Sequence, residues 1–206
     1  MKVLLILAMV LIGCGSDDSG SSSSDSQAVT IQTDEAGKTI SLDGRYYTEC
    51  FESNGLGMKS NMNIEGTQLE LISTLFSDQN CFNDVVFTFN FTRNDFVLGS
   101  KSPNFTNGYK LPLPTNAQET HTLFNEYLVS VYNDDGAYGY VDWKLGVPKD
   151  TRHKNYDHRL EYEKPEHAGT IVKINEDGSL QVGETNGPLD ENDYPVTLSE
   201  FTFKKQ

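Results

Sequence analysis

"FNDVVFTFNFT", residues 82–92, sets Val85, Phe87, Phe89 and Phe91 at alternate positions, with Val86, Thr88, Asn90 and Thr92 between them. A period of two puts three aromatic rings on one side of an extended strand and short polar groups on the other. The same alternation precedes it. "MKSNMNI", residues 58–64, opposes Met58, Ser60, Met62 and Ile64 to Lys59, Asn61 and Asn63, and "TQLELISTLF", residues 67–76, follows after a turn at "IEG". "SDQNC" then turns the chain into the aromatic strand. Consecutive strands with links this short pair antiparallel, so the sequence predicts a meander.

Outward from that core the pattern changes. "SPNFTNGYKLPLPTN", residues 102–116, carries three of the seven prolines and reads as a long loop. In "NAQETHTLFNEYLVSVYNDDG" the residues Leu123, Phe124, Tyr127, Leu128, Val131 and Tyr132 recur at spacings of one, three and four. That periodicity predicts one helix, with Asn116 and Glu119 placed for a capping box and Gly136 beyond its end; its β-branched and aromatic content also suits a strand. "YGYVDWKLG", residues 138–146, returns to alternation with Val141, Trp143 and Leu145 on one side. A charged loop, 147–168, follows. "TIVKINEDGSLQVG" predicts a hairpin turning across residues 175–178, and "YPVTLSEFTFKK" a closing strand whose phase slips at a bulge near Ser199.

Eight or nine strands and one helix, with no repeat of fixed period, place the chain in the mainly β class. A single antiparallel up-and-down barrel with one amphipathic helix inserted is the favoured architecture, and a two-sheet sandwich is the other arrangement the pattern allows.

The amino terminus has a different character. Lys2 precedes eleven small or apolar residues, Val3 to Gly13, which is the charged and apolar pair of regions in an export signal. Spanning a bilayer takes about 20 apolar residues, so this run reads as a removable signal. Leu11-Ile12-Gly13-Cys14 resembles the lipobox of bacterial lipoprotein precursors, in which a peptidase cuts before an acylated cysteine. The resemblance implies that residues 1–13 are removed, that Cys14 carries lipid, and that the membrane is a partner through that lipid. The Ser/Asp/Gly tract that follows cannot bury enough apolar surface to offset chain entropy, so residues 14–41 are expected to act as a disordered tether. Gly15, rather than aspartate, stands after the cysteine. In enterobacterial lipoproteins that choice favours the outer membrane.

Charge and cysteine count narrow the function classes. The whole chain carries −14 at neutral pH, and removing Lys2 with the signal makes it −15. Such a surface repels phosphate backbones and anionic headgroups, which argues against nucleic acid as a partner. Of three cysteines, assigning Cys14 to lipid leaves Cys50 and Cys81. In an oxidising compartment these can pair, closing a loop of about 32 residues; two unpaired thiols are the alternative.

The order of landmarks is also similar to that of a group of small bacterial lipoproteins with a lipocalin-like domain. "LDGRYYTEC", the meander, "SDQNC", "GYVDWKLGVPKD", a "DGSLQVG" hairpin and a terminal "LSEFTFKK" carry the likeness over residues 42–206. It implies a barrel in which Cys50 bonds Cys81 and Trp143 packs in or near the interior. Lipocalins carry their characteristic Trp on the first strand, where this chain has Tyr46 and Tyr47.

No motif assigns chemistry. His153 and His158 stand five apart with His167 beyond, among Arg152, Lys154 and Arg159, a spacing and a charge unsuited to zinc. "NDDG" at 133–136 and "DEND" at 190–193 lack the alternating pattern of a calcium loop. Neither a serine-hydrolase elbow nor a phosphate-binding glycine loop is present, so no catalytic residue, metal or cofactor is expected. Tyr46, Phe87, Phe89, Phe91 and Trp143 either line a cavity for a hydrophobic or amphipathic ligand or fill a solid core. The first alternative makes the chain a lipid-anchored binding protein. The second makes it a structural or interaction lipoprotein that meets an envelope partner through its loops, 102–116 and 147–168. A catalytic site would need a buried His beside a Ser or a carboxylate in a cleft.

Overall fold

The computed structural model describes residues 30–32, 39–53, 55–114, 116–152, 168–184 and 187–206. The signal segment, Cys14, most of the expected tether and His153, His158 and His167 lie outside the described residues. Within the segment expected to be tether, β1 (Thr30–Gln32) and β2 (Thr39–Ser41) pair antiparallel.

The meander is present. β3 (Gly44–Tyr47), β5 (Leu56–Glu65), β6 (Gln68–Phe76) and β7 (Val85–Arg93) lie side by side in antiparallel order, with the short β4 (Phe51–Ser53) also on β5. Met58, Ser60, Met62 and Ile64 are all buried, as their alternation requires. On β7 the phase is carried by Phe87, Phe89 and Phe91. Val85 does not share it, because the register slips between Leu75 and Phe76 and turns Val86 inward instead. A bulge at that point re-aims one side chain without disturbing the rest of the strand.

Three expectations are corrected after β7. The 102–116 stretch is not all loop: Gly108–Pro112 forms β8, which pairs with β11 (Gly169–Ile174). The single helix predicted from Asn116 is a strand followed by a helix. β9 (Ala117–Leu123) pairs with β7, and α1 (Glu126–Asp134) begins at Asn125, whose side chain accepts from the Leu128 amide. The inward set of β9 is Ala117, Glu119, His121 and Leu123. A Glu and a His among the inward residues erase the apolar alternation that would have marked the strand. The predicted strand at 138–146 is likewise absent. Ala137–Gly139 is a 3-10 turn, Trp143 is buried, and Val141 and Leu145 point to solvent.

β10 (Lys149–Asp150) adds to the free edge of β9. The 175–178 hairpin forms as expected, between β11 and β12 (Leu180–Val182), with Gly178 at φ 79°. The closing segment is irregular near Ser199. Leu198 pairs with Gly183 and Phe203 with Leu180, so residues 199–202 on one side stand opposite 181 and 182 on the other, and β13 (Lys204–Lys205) then joins β3.

The long ladder runs β10-β9-β7-β6-β5-β3-β13, and the second sheet runs β12-β11-β8. They meet where Leu180 and Phe203 exchange both backbone hydrogen bonds. All these ladders are antiparallel, and among the described residues the path does not close on itself. The long sheet buries its inner face in two halves. The second sheet covers one half, where Leu111, Val172 and Phe203 meet Met62, Leu69 and Leu71 around an enclosed apolar void of about 30 Å³. The other half, with Phe87 and Leu123, joins α1 and the Ala137–Trp143 segment in the same core.

Candidate functional site

The inner face reads as rows across the strands. One row places Leu123 on Phe87 and Phe87 on Leu75. The next places Lys149 on His121, His121 on Phe89, and Phe89 on Ser73, with Ser73 on Ser60. A third places Glu119 on Phe91, Phe91 on Leu71, Leu71 on Met62, and Met62 on Tyr46. Because side chains alternate strictly along a strand, Glu119 and His121 must both enter this aromatic face. Each is 1% exposed, and His121 Nε2 stands 3.3 Å from Glu119 Oε1.

The pair is held from several directions. Thr151, fully buried just beyond β10, donates its hydroxyl to Glu119 Oε1 at 2.7 Å and its amide to the Glu119 carbonyl. The His121 ring meets Phe87, Phe89 and Tyr138 edge-on, with centroids 4.9–5.5 Å apart. Neither His121 nitrogen makes a hydrogen bond among the described residues. Burying a polar group without such a partner destabilises a fold by about 1–3 kcal/mol, so this His is a costly resident of the core.

Tyr138, packed on His121, belongs to a small aromatic cluster around Trp143. Trp143 is clamped by Asn133, whose Oδ1 accepts from the Trp143 amide while its Nδ2 donates to the Trp143 carbonyl. The indole N–H donates to the Ala137 carbonyl, and Tyr132, Tyr138 and Tyr140 pack against the indole edge-on. Tyr138 itself has φ 57°, between Gly136 at 61° and Gly139 at 75°. A bulky side chain in the left-handed region is strained, and such strain collects at functional sites. At the rim, Lys149 Nζ sits 4.4 Å from the Tyr140 ring centroid and pairs with Asp142, whose carboxyl is held below the usual range chiefly by that hydrogen bond.

The sequence-predicted cavity residues all lie inside. Phe87, Phe89 and Phe91 line this face, Trp143 lies in the aromatic cluster, and Tyr46 stands at the far end of the Glu119 row. The Tyr46 hydroxyl donates to the Leu42 carbonyl, and burial, aided by Asp43, pushes its pKa up to about 12. Cys50 and Cys81 form a disulfide. Residues 133–136 cover the end of α1 and its C-cap Asp135, and Asp190 caps its own turn by accepting from the Asn192 and Tyr194 amides. An open polar groove of about 670 Å³ beside Asn107, Asp177 and Lys204 gathers no comparable buried pair.

Sequence reasoning missed Glu119, His121, Thr151 and Tyr138. The signal available was the alternation of "AQETHTL" with two inward polar groups, masked by the helical spacing that begins at Leu123. No protein-family model matches this chain, and no curated protein is detectably similar to it. The chemistry of the site therefore rests on its own geometry.

Proposed function

We propose that this chain is a bacterial envelope lipoprotein, anchored through lipid on Cys14 with the outer membrane favoured, whose β-domain binds a small hydrophobic or amphipathic molecule. The observation that carries the reading is the Glu119–His121 pair, buried among Phe87, Phe89 and Tyr138. A few convergent polar groups on an otherwise apolar inner face are what a small-molecule site needs for orientation, and a core built for stability alone avoids them.

In this reading the two sheets are one lipocalin-like barrel whose last seam is made by side chains. Arg93, buried at the end of β7, donates Nη1 to the Pro112 carbonyl at the end of β8, and Arg152 beyond β10 donates Nη2 to the Pro114 carbonyl. The Arg152 link joins the two ends of the open ladder, beyond β10 and beyond β8, and the Arg93 link ties β7 to the same end of β8. The disulfide supports residence in an oxidising compartment.

A second reading has its own observation. Among the described residues the apolar void between the sheets is only about 30 Å³, whereas Phe82, Phe124, Val141 and Leu145 are exposed. A solid core with apolar side chains on its loops describes an interaction lipoprotein that meets another envelope protein.

Mass spectrometry of protein purified from membranes of its native host separates the two. Ligand binding predicts a co-purifying small molecule released on denaturation, and anchoring predicts acyl chains on an amino-terminal Cys14. A ligand-free domain that retains an envelope protein supports the second reading. An intact terminus at Met1 with a free thiol at Cys14 overturns the anchor.

A further inference from the structure

The buried pair also points to the chemistry of what it would bind. Glu119 brings a carboxylate, and His121 brings ring nitrogens that make no hydrogen bond among the described residues, into one place 1% exposed to solvent. Phe87, Phe89 and Tyr138 pack on the His121 ring, and Phe91 stands opposite Glu119 across the ladder. A carboxylate with aromatic neighbours attracts organic cations, through charge and through the ring quadrupoles. It repels anions, as does the chain's overall −14 charge. The rim already shows such an arrangement, because the Lys149 ammonium rests on the Tyr140 ring beside Asp142.

Access depends on Tyr138. Its ring packs on His121, and its backbone is one of three left-handed residues within four positions, Gly136 to Gly139. The glycines at either end can leave that conformation freely, and Tyr138 gains by leaving it. An outward turn of this segment would take the ring off His121, at the expense of the Gly139 and Tyr140 amide hydrogen bonds and the Trp143 indole bond that hold the turn.

We propose that the site takes a lipophilic primary or secondary ammonium, its N–H groups donating to Glu119 and His121 and its apolar part replacing the Tyr138 ring. The inference rests on the ligand-binding reading above and adds the chemical class of the ligand.

The test uses the mature chain from residue 14, carrying Cys14→Ser and oxidised at Cys50–Cys81, titrated with n-octylammonium, 1-octanol and octanoate. Calorimetry and the emission of Trp143, the chain's only Trp, 6.3 Å from Tyr138, both read binding. Salt at about 0.3 M screens diffuse attraction to the acidic surface. The expected order is octylammonium at least about 10-fold tighter than octanol, and octanoate weakest. Glu119→Gln removes the preference for the amine over octanol, while Tyr138→Ala tightens both. Octanol binding as well as the amine overturns the inference and leaves ligand binding standing, and this comparison needs no variant to fold. An amine affinity untouched by Glu119→Gln in a folded variant has the same meaning. If neither the wild-type domain nor folded Tyr138→Ala binds any probe, both readings fall.

Discussion

Replacing both Cys50 and Cys81 with Ser should lower the stability of the oxidised domain by several kcal/mol, and the loop size sets the figure. The cysteines are 31 residues apart in sequence. Closing a loop of that length removes about 12 cal/mol/K of entropy from the unfolded chain, or about 3.7 kcal/mol at 25 °C. For a domain of this size each kcal/mol moves Tm by about 2–4 °C, so the expected fall is about 7–15 °C. Either single replacement should cost nearly as much as the double, since one missing sulfur already opens the loop. Thermal unfolding followed by circular dichroism, with reductant added to the wild type as a control, measures it. A double variant melting within about 2 °C of the oxidised wild type would refute the reasoning, because it would mean that the bridge constrains nothing in the unfolded chain.

Gly57→Ala should destabilise by about 1–3 kcal/mol in chemical unfolding, because a Cβ there would lie 2.4 Å from the Asp78 carbonyl oxygen and 2.7 Å from Cys81 Sγ. Asn125→Ala removes the acceptor that caps α1 and should cost about 1 kcal/mol by the same measurement. The Tyr46 pKa, raised to about 12 in the folded chain from an ordinary 10, contributes stability that is complete below pH 10 and is lost as pH rises toward 12. Tyr46→Phe should therefore flatten stability between those limits in an alkaline titration. Asp78 accepts from the Asn80, Phe82 and Asn83 amides, with Asn83 the largest influence holding its carboxyl below the ordinary range. Its contribution is present above the ordinary carboxylate pKa and is lost as pH falls through the lowered one. Asp78→Asn should thus weaken the acid limb of the stability profile. Cys14→Ala should leave the precursor uncut and unlabelled by radioactive fatty acid in the native host.

The sequence by itself determined the meander. Met58, Ser60, Met62 and Ile64, then Phe87, Phe89 and Phe91, had to face one side because the period of a strand leaves no other choice. The hairpin at 175–178 and the irregularity near Ser199 were legible for similarly local reasons, in turn chemistry and a slip of phase. β9 was not. Its inward Glu119 and His121 are acceptable only because β7, Thr151 and Tyr138 surround them, and none of those neighbours is adjacent in sequence. Strand alternation puts the acid and the imidazole on one side of β9; tertiary structure alone set Thr151 on the acid and a strained tyrosine against the imidazole. Trp143 was foreseen as buried, but through the wrong element: Asn133 and the Ala137 carbonyl hold it in a loop, and hydrogen bonds to a loop leave no periodic trace. Local periodicity records which side of the backbone a residue occupies, whereas a site is made by the meeting of distant segments, which only the folded chain decides.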